Sequence, residues 1–228
     1  MYIPSTIPSS LSEMLDFLTP TILDGLFDSV EYDNESSPTK IVCTQNGNTI
    51  LEISYQTNQW TFTPFISSGV SWHEVTVNIS YTSASFLLFM RCKGGFGIVQ
   101  RSQSTSYKWG IICGKASNEK TTCVMLDGAG NQADNIDAEI TGSTVNCYTV
   151  TFGDDTSLAM ATSLWQETRI VNADRTILGE IPVIGRYGST DYMTTVYFRK
   201  VCQFKQNGAQ IIGGRQYGCI YNFAILDE

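Results

Sequence analysis

DYMTTVYFRKVCQFKQNGAQIIGGRQYGCIYNFAIL, residues 191–226, is the stretch that decides the fold of this chain. Along residues 195–205, alternate positions separate into a mainly apolar row and a more polar row, which is typical of a half-buried strand. Asn207-Gly208 follows, and both residues tolerate the positive φ angles that a tight two-residue turn needs. The pattern therefore predicts a hairpin between this strand and a short strand at residues 209–212.

The end of the same stretch indicates where the last strand lies. After a break at Gly213-Gly214, residues 219–226 (CIYNFAIL) are apolar on nearly both faces. A strand with two apolar faces needs cover on both sides. We therefore expect the last strand inside the domain rather than at a sheet edge.

The composition of the whole chain favours an all-β protein. The 228 residues are 42% hydrophobic and 16% charged, with 11 Tyr, 11 Phe and 19 Gly, a balance typical of many short strands joined by turns. We predict an antiparallel β-sandwich, of which a jelly roll is one form, with a short N-terminal helical leader. The other predicted strands are residues 40–45, 49–55, 60–65, 72–81, 85–90, 96–99, 107–113, 121–126, 145–152, 158–165, 167–171 and 177–184.

The charge divides the chain at residue 40. Residues 1–39 carry seven acidic residues and no basic one, whereas the remainder carries 15 acids and 14 bases. We therefore predict two units: an acidic helical leader and linker at residues 1–39, and a β-sandwich body at residues 40–228. A net charge of −8 argues against a nucleic-acid partner, because phosphate binding requires clustered Lys and Arg.

The leader is predicted to be helical from Ser10 onward. Ser10 and Glu13 fit a capping box, and Thr19-Pro20 places proline at a kink or at the first position of a second helix. Residues 31–38, acidic and rich in serine, are predicted to be a solvated linker. One apolar face recurs at helical spacing: Leu11, Met14, Leu15, Leu18, Ile22, Leu23, Leu26 and Phe27.

Two roles are open for this apolar face. It caps the end of the chain's own sandwich, or it docks on another subunit. The lack of positive charge favours a basic protein surface as the partner and disfavours a membrane, whose surface helices are normally basic. No apolar run reaches the length that spans a bilayer. Because no basic region precedes an apolar core at the N-terminus, we expect no signal peptide and synthesis in the cytosol.

The seven cysteines favour neither a disulfide framework nor a zinc site. Their number is odd, no two are spaced as C-x-x-C, and the sequence contains one histidine. We expect small, buried, reduced side chains, and neither a metal nor another cofactor. The cysteines are Cys43, Cys92, Cys113, Cys123, Cys147, Cys202 and Cys219.

Residues 127–137 (DGAGNQADNID) are rich in turn formers and oxygen ligands. A helix–loop–helix calcium site would need an oxygen ligand at the third position and a bidentate Glu at the twelfth. Ala129 and Ala138 stand there instead. The pattern therefore favours an ordinary solvated loop over a calcium site.

The sequence offers few residues for catalysis. A nucleophile–base scheme would have to use His73, which lies in an alternating strand pattern and is predicted to be structural. The acidic pairs Asp154-Asp155 and Asp134 with Asp137 lie in contexts where aspartate is typical of turns. We therefore expect no enzymatic activity.

Several C-terminal segments are distinctive together: residues 178–185 (LGEIPVIG), 192–198 (YMTTVYF), 206–208 (QNG), Tyr217, and 221–228 (YNFAILDE). They resemble uncharacterised structural proteins encoded by phages and prophages of Gram-positive bacteria. The resemblance covers about the last fifth of the chain and, loosely, residues 96–126. It implies a virion component without catalytic residues, placed in the tail, beside the baseplate or fibre, or as decoration on the head, and made in the host cytosol.

These observations favour a non-enzymatic virion protein that docks through its leader on other virion proteins, as a homo-oligomer or in many copies of a symmetric assembly. The first alternative is a carbohydrate- or receptor-binding module at the particle surface, in which Trp60, Trp109 or Trp165 stacks on a host glycan. Against it, aromatic residues of β proteins are more often in the core. The second alternative is a polysaccharide hydrolase that uses Asp154 or Asp155.

Overall fold

The computed structural model describes residues 1–67, 70–71, 74–79, 85–102, 108–115, 121–127, 147–151, 158–161, 169–171, 177–187, 190–203, 208–212, 214–220 and 223–228. The chain begins with two short helices, α1 (Leu11–Leu18) and α2 (Pro20–Leu23). The strands that follow form three sheets, in which every pairing is antiparallel.

The start of α1 follows the predicted capping pattern. The Ser10 hydroxyl accepts a hydrogen bond from the Glu13 backbone N–H at 3.3 Å. The Glu13 carboxylate reaches one residue further back than a capping box requires and accepts from the Ser9 backbone N–H at 2.7 Å. Pro20 occupies the first turn of α2, which confirms the predicted break after Thr19.

The first sheet follows the chain as a meander, with the order β1-β2-β3-β4-β5, and β6 also pairs with β4. Asn46 and Gly47, both with positive φ, form the tight turn between β2 and β3. Thr57 and Asn58 form a second turn of this kind between β3 and β4. The strands are β1 (Ser29–Asp33), β2 (Lys40–Gln45), β3 (Asn48–Gln56), β4 (Gln59–Ser67), β5 (Val70–Ser71) and β6 (Val75–Asn78).

β1 corrects the prediction of a linker at residues 31–38. It pairs along its whole length with β2, so its last three residues belong to the sheet. Alternation is weak in β1, where Val30 is the one buried side chain, and its acidic residues hid the strand in the sequence. The predicted boundary at residue 40 therefore falls between β1 and β2, two paired strands of one sheet.

The second sheet is also a meander, with the order β12-β11-β10-β9-β8-β7. The four strands that come first in the sequence, β7 to β10, lie where the sequence predicted strands. The strands are β7 (Ser85–Cys92), β8 (Gly95–Ser102), β9 (Lys108–Lys115), β10 (Thr121–Asp127), β11 (Cys147–Thr151) and β12 (Leu158–Ala161).

The third sheet has the order β13-β14-β15-β18-β17-β16. The chain passes from β15 to the far edge and returns through two hairpins, which is a Greek-key arrangement. The strands are β13 (Arg169–Val171), β14 (Ile177–Tyr187), β15 (Thr190–Gln203), β16 (Gly208–Ile212), β17 (Arg215–Ile220) and β18 (Phe223–Leu226).

This order corrects the predicted hairpin around Asn207-Gly208. Both flanking strands exist, but β15 pairs with β14 and β18, while β16 pairs with β17. The apolar run at residues 219–226 is also two strands rather than one. The prediction that the last strand lies inside the domain is confirmed, because β18 has β15 and β17 as neighbours and Ala224, Ile225 and Leu226 are buried.

The main core lies between the first two sheets and α1, which makes the architecture a β-sandwich, as predicted. Buried side chains from both sheets and from the leader form one cluster. Its largest fully buried members are Trp60, Phe27, Phe62, Phe96, Met14, Leu18, Ile41, Leu51 and Ile53.

The third sheet packs on the second through positions that lack a side chain. A Cβ at Gly218 of β17 would lie 2.4 Å from Cys92 Sγ, and a Cβ at Gly97 of β8 would lie 3.1 Å from the Ile220 side chain. These two glycines let β17 approach β7 and β8 closely.

Candidate interaction surfaces

The apolar face of the leader is occupied by the chain's own core. Of the eight side chains proposed for docking, four are at most 2% exposed and three are partly buried against the same cluster. Leu23 differs from the others, since it is 91% exposed. Seven of the eight residues therefore take the first of the two roles considered for this face, packing on the chain's own sandwich: Leu11, Met14, Leu15, Leu18, Ile22, Leu26 and Phe27.

Two hydrogen bonds from core side chains fix the leader on the sandwich. Thr121 of β10 donates its hydroxyl to the Leu26 carbonyl at 2.6 Å, in a buried position. Trp60 of β4 donates its indole N–H to the Pro8 carbonyl at 2.9 Å, also buried. Each bond satisfies a backbone carbonyl that would otherwise lie without a partner beside apolar side chains.

Arg91 of β7 joins the leader to the second sheet. Its backbone exchanges two hydrogen bonds with Tyr2, at 2.7 and 2.9 Å. Its guanidinium carbon lies 4.9 Å from the centroid of the Tyr2 ring and 5.8 Å from that of Phe17, and it donates to the Phe17 carbonyl. Burial lowers the pKa of Arg91, yet a guanidinium stays charged in proteins, so the contact is a cation–π interaction.

An acidic cleft of about 440 Å³ lies along β1. Glu31, Asp33 and Glu35 contribute carboxylates to it, and Tyr32 is 38% exposed there. Lys40 partly neutralises the cleft, because its ammonium lies 3.7 Å from Asp33. The hydroxyl of Ser36 and two backbone N–H groups hold the pKa of Asp33 below its ordinary value, so this carboxylate stays charged at neutral pH.

β1 is also the outermost strand of the first sheet. One row of its backbone N–H and C=O groups is therefore not paired with a strand in the described part of the chain. The sequence did not predict this open edge, because the acidic, serine-rich composition of residues 31–38 is typical of a linker. The signal that could have located it is the concentration of acidic residues, since charged side chains are typical of protected edge strands.

β16 is an outer strand of the third sheet, and among the described residues it pairs with β17 alone. Its sequence, GAQII, contains no charged residue. Ala209 is exposed, and Ile211 has 80% of its surface in solvent. This edge therefore lacks the lysine, glutamate or proline with which exposed edges are normally protected.

The cysteines divide into two groups. Cys113 and Cys123 lie opposite each other on β9 and β10 and form a disulfide, which corrects the expectation of reduced thiols for this pair. Cys43, Cys92 and Cys219 are buried, reduced cysteines, as predicted. Burial raises the pKa of Cys43, and raises that of Cys92 to about 11, so these two thiols are protonated and behave as small apolar side chains. The side chains of Cys147 and Cys202 lie outside the described residues.

The residues considered for catalysis and for calcium lie outside the described part of the chain. They are His73, Asp134, Asp137, Asp154, Asp155 and all of residues 127–137 after Asp127. Among the residues that are described, no group of three His, Cys, Asp or Glu side chains could hold a metal ion. None of the described helices is long and apolar enough to cross a membrane.

Two of the tryptophans considered for sugar binding are core residues. Trp60 is fully buried, and its ring centroid lies 4.5 Å from that of Tyr55. Trp109 is partly buried against the main core. A buried indole has no free face on which a sugar ring could stack, so Trp60 is excluded from such a site, while Trp165 lies outside the described residues.

Comparison of the chain with protein-family models, with curated proteins and with solved structures found no match in any of the three.

Proposed function

We propose that this chain is a non-enzymatic structural component of a phage virion, located in the tail, baseplate or fibre region or decorating the head. The observation that carries the proposal is the pair of outer strands β1 and β16, each of which has a strand partner on one side only among the described residues. Open edges are the surfaces through which β proteins add strands from partners. The resemblance of the C-terminal segments to phage structural proteins is the reason for proposing a phage virion as the assembly.

The leader contributes to docking through its acidic edge rather than through its apolar face. Glu31, Glu35 and the exposed ring of Tyr32 line the cleft beside β1. A partner for this edge is another virion protein that presents basic side chains, because like charges would repel each other during encounter. In this proposal, both proteins meet in the host cytosol, where the particle assembles.

Purified particles from the host that encodes the chain test the proposal. The chain should band with the particles in a density gradient and keep a fixed ratio to the major capsid or tail protein by quantitative mass spectrometry. Consistent absence of the chain from washed particles, while it accumulates in the same cells, would refute particle membership.

Charge reversal tests the acidic edge. In cells that carry the variant gene, Glu31→Lys with Glu35→Lys should lower the amount of chain on particles by about tenfold, the effect of losing about 1.4 kcal/mol of binding. Asp16→Lys reverses an exposed charge on α1, away from the cleft, and serves as the matched control. Equal incorporation of the two variants would show that the cleft has no part in docking.

A further inference from the structure

We propose that the β16 edge pairs with the β16 edge of a second copy of this chain, in an antiparallel arrangement about a twofold axis at Gln210. The pairing deepens the proposed function, since it names the surface through which copies of the protein meet. It joins two six-stranded sheets into one continuous sheet across the dimer.

The first argument is charge. A twofold antiparallel pairing places a strand opposite an identical strand, so charges of one sign near the axis come close to each other. β16 contains no charged residue, and Arg215, which lies opposite Ile212 on β17, forms an ion pair with Glu228 at 3.0 Å. The β1 edge is less suited to such pairing, because an axis at Glu31 would set that carboxylate opposite its own copy, and an axis at Tyr32 would set Glu31 opposite Asp33. Of these two edges, β16 is therefore the one suited to a second copy.

The second argument is the order of side-chain sizes along β16. With the axis at Gln210, Ile211 lies opposite Ala209 of the partner, and the reverse holds on the other side of the axis. A large residue thus meets a small one at both positions, which is the shape that a self-complementary interface requires. Gln210 meets its own copy, and a primary amide can donate to and accept from another amide.

The third argument is the exposure of Ile211. Its side chain is 80% exposed at an edge whose outer backbone groups have no strand partner among the described residues. Pairing would remove this apolar surface from water and would satisfy the open backbone groups at the same time. Residues 209 and 211 lie on the same face of the strand, so Ala209 of one copy would cover part of the Ile211 side chain of the other.

The solution state of the intact chain tests the inference. Analytical ultracentrifugation at up to about 100 µM, the upper range for a weak but specific contact, should give twice the chain mass of 25.2 kDa. Ile211→Lys should weaken the dimer by at least about tenfold, because a charged edge residue opposes strand pairing. Tyr32→Lys makes a similar change on the β1 edge and should leave the dimer intact. Circular dichroism would verify that both variants remain folded.

Cysteine cross-linking tests the register independently of affinity. In an antiparallel pair, residues directly opposite have Cα atoms about 4.5–5.5 Å apart, which a disulfide can span. Gln210→Cys should therefore give a covalent dimer under mild oxidation, whereas Ala209→Cys should give little more than the wild-type chain.

Three results would overturn the inference: a monomeric wild-type chain, a dimer unaffected by Ile211→Lys, or cross-linking through residue 209 as efficient as through residue 210. None of them decides whether the chain belongs to a virion, which depends on its presence in purified particles. The two proposals can therefore fail separately.

Discussion

At the scale of single residues, Thr121 is the polar side chain that ties the leader to the second sheet. Its hydroxyl is buried and donates to the Leu26 carbonyl at 2.6 Å. Thr121→Val keeps the shape of the side chain but leaves that carbonyl without its partner, so we expect a loss of about 1–3 kcal/mol in the free energy of unfolding. Chemical denaturation would measure it. Thr76→Val, at an exposed site on β6, is the control and should change stability by less than about 0.5 kcal/mol. Equal effects of the two variants would contradict the role of Thr121.

Single residues also show which features a sequence reveals. The Asn46-Gly47 turn was predictable, because its positive φ angles depend on the chemistry of two adjacent residues. The hydrogen bond between Thr121 and Leu26 was not, since its partners are 95 positions apart and no local pattern links them. The Cys113–Cys123 bond was missed for a related reason: it depends on the register between β9 and β10, which sets two residues directly opposite each other.

At the scale of elements, one leucine in α1 and one in α2 can be compared to test whether the apolar face of the leader serves the core or docking. Leu18 is fully buried, whereas Leu23 is 91% exposed. We expect Leu18→Ala to lower the free energy of unfolding by about 2–5 kcal/mol, the usual effect of such a cavity in a core. Leu23→Ala should change it by less than about 0.5 kcal/mol. Urea denaturation of the two variants measures both values. A small effect of Leu18→Ala would contradict the core role of the apolar face and would leave docking as its function.

The cap of α1 gives the protein a pH dependence. Hydrogen bonds from the backbone and hydroxyl of Ser9 hold the pKa of Glu13 below its ordinary value of 4.5, because they favour the charged carboxylate. Its contribution to stability is therefore present above the unfolded pKa and is lost as the pH falls through the folded pKa. Glu13→Gln should reduce the fall in Tm between about pH 5 and pH 3. Asp16→Asn, which removes an exposed charge from the same helix, is the control, and identical Tm profiles for the two variants would contradict this account.

The strands also show which structural features the periodicity of apolar residues does not predict. Hairpin pairings in the first two sheets, such as that of β2 with β3, were predictable because the paired strands are consecutive in the sequence. The third sheet breaks that rule. The strand pattern of residues 195–212 does not show whether β15 pairs with the next strand in the sequence, β16, or with the later strand β18. β1 escaped prediction because an edge strand with one buried side chain lacks the apolar alternation on which the method depends.

At the scale of the whole molecule, we expect the leader and the sandwich to unfold as one cooperative unit. Met14, Phe17, Leu18, Leu26 and Phe27 are each at most 2% exposed, and each contributes about 1.5–3 kcal/mol on burial. Their sum approaches the total stability of about 5–15 kcal/mol that is usual for a domain. Removal of residues 1–27 should therefore leave a chain without a cooperative thermal transition or dispersed NMR spectrum.

As a control, a protease site inserted at residues 34–37, in the exposed segment between β1 and β2, should allow cleavage without loss of the fold, because the severed leader stays packed in the core. A truncated chain that melts cooperatively near the wild-type Tm would show that the leader is a separate unit.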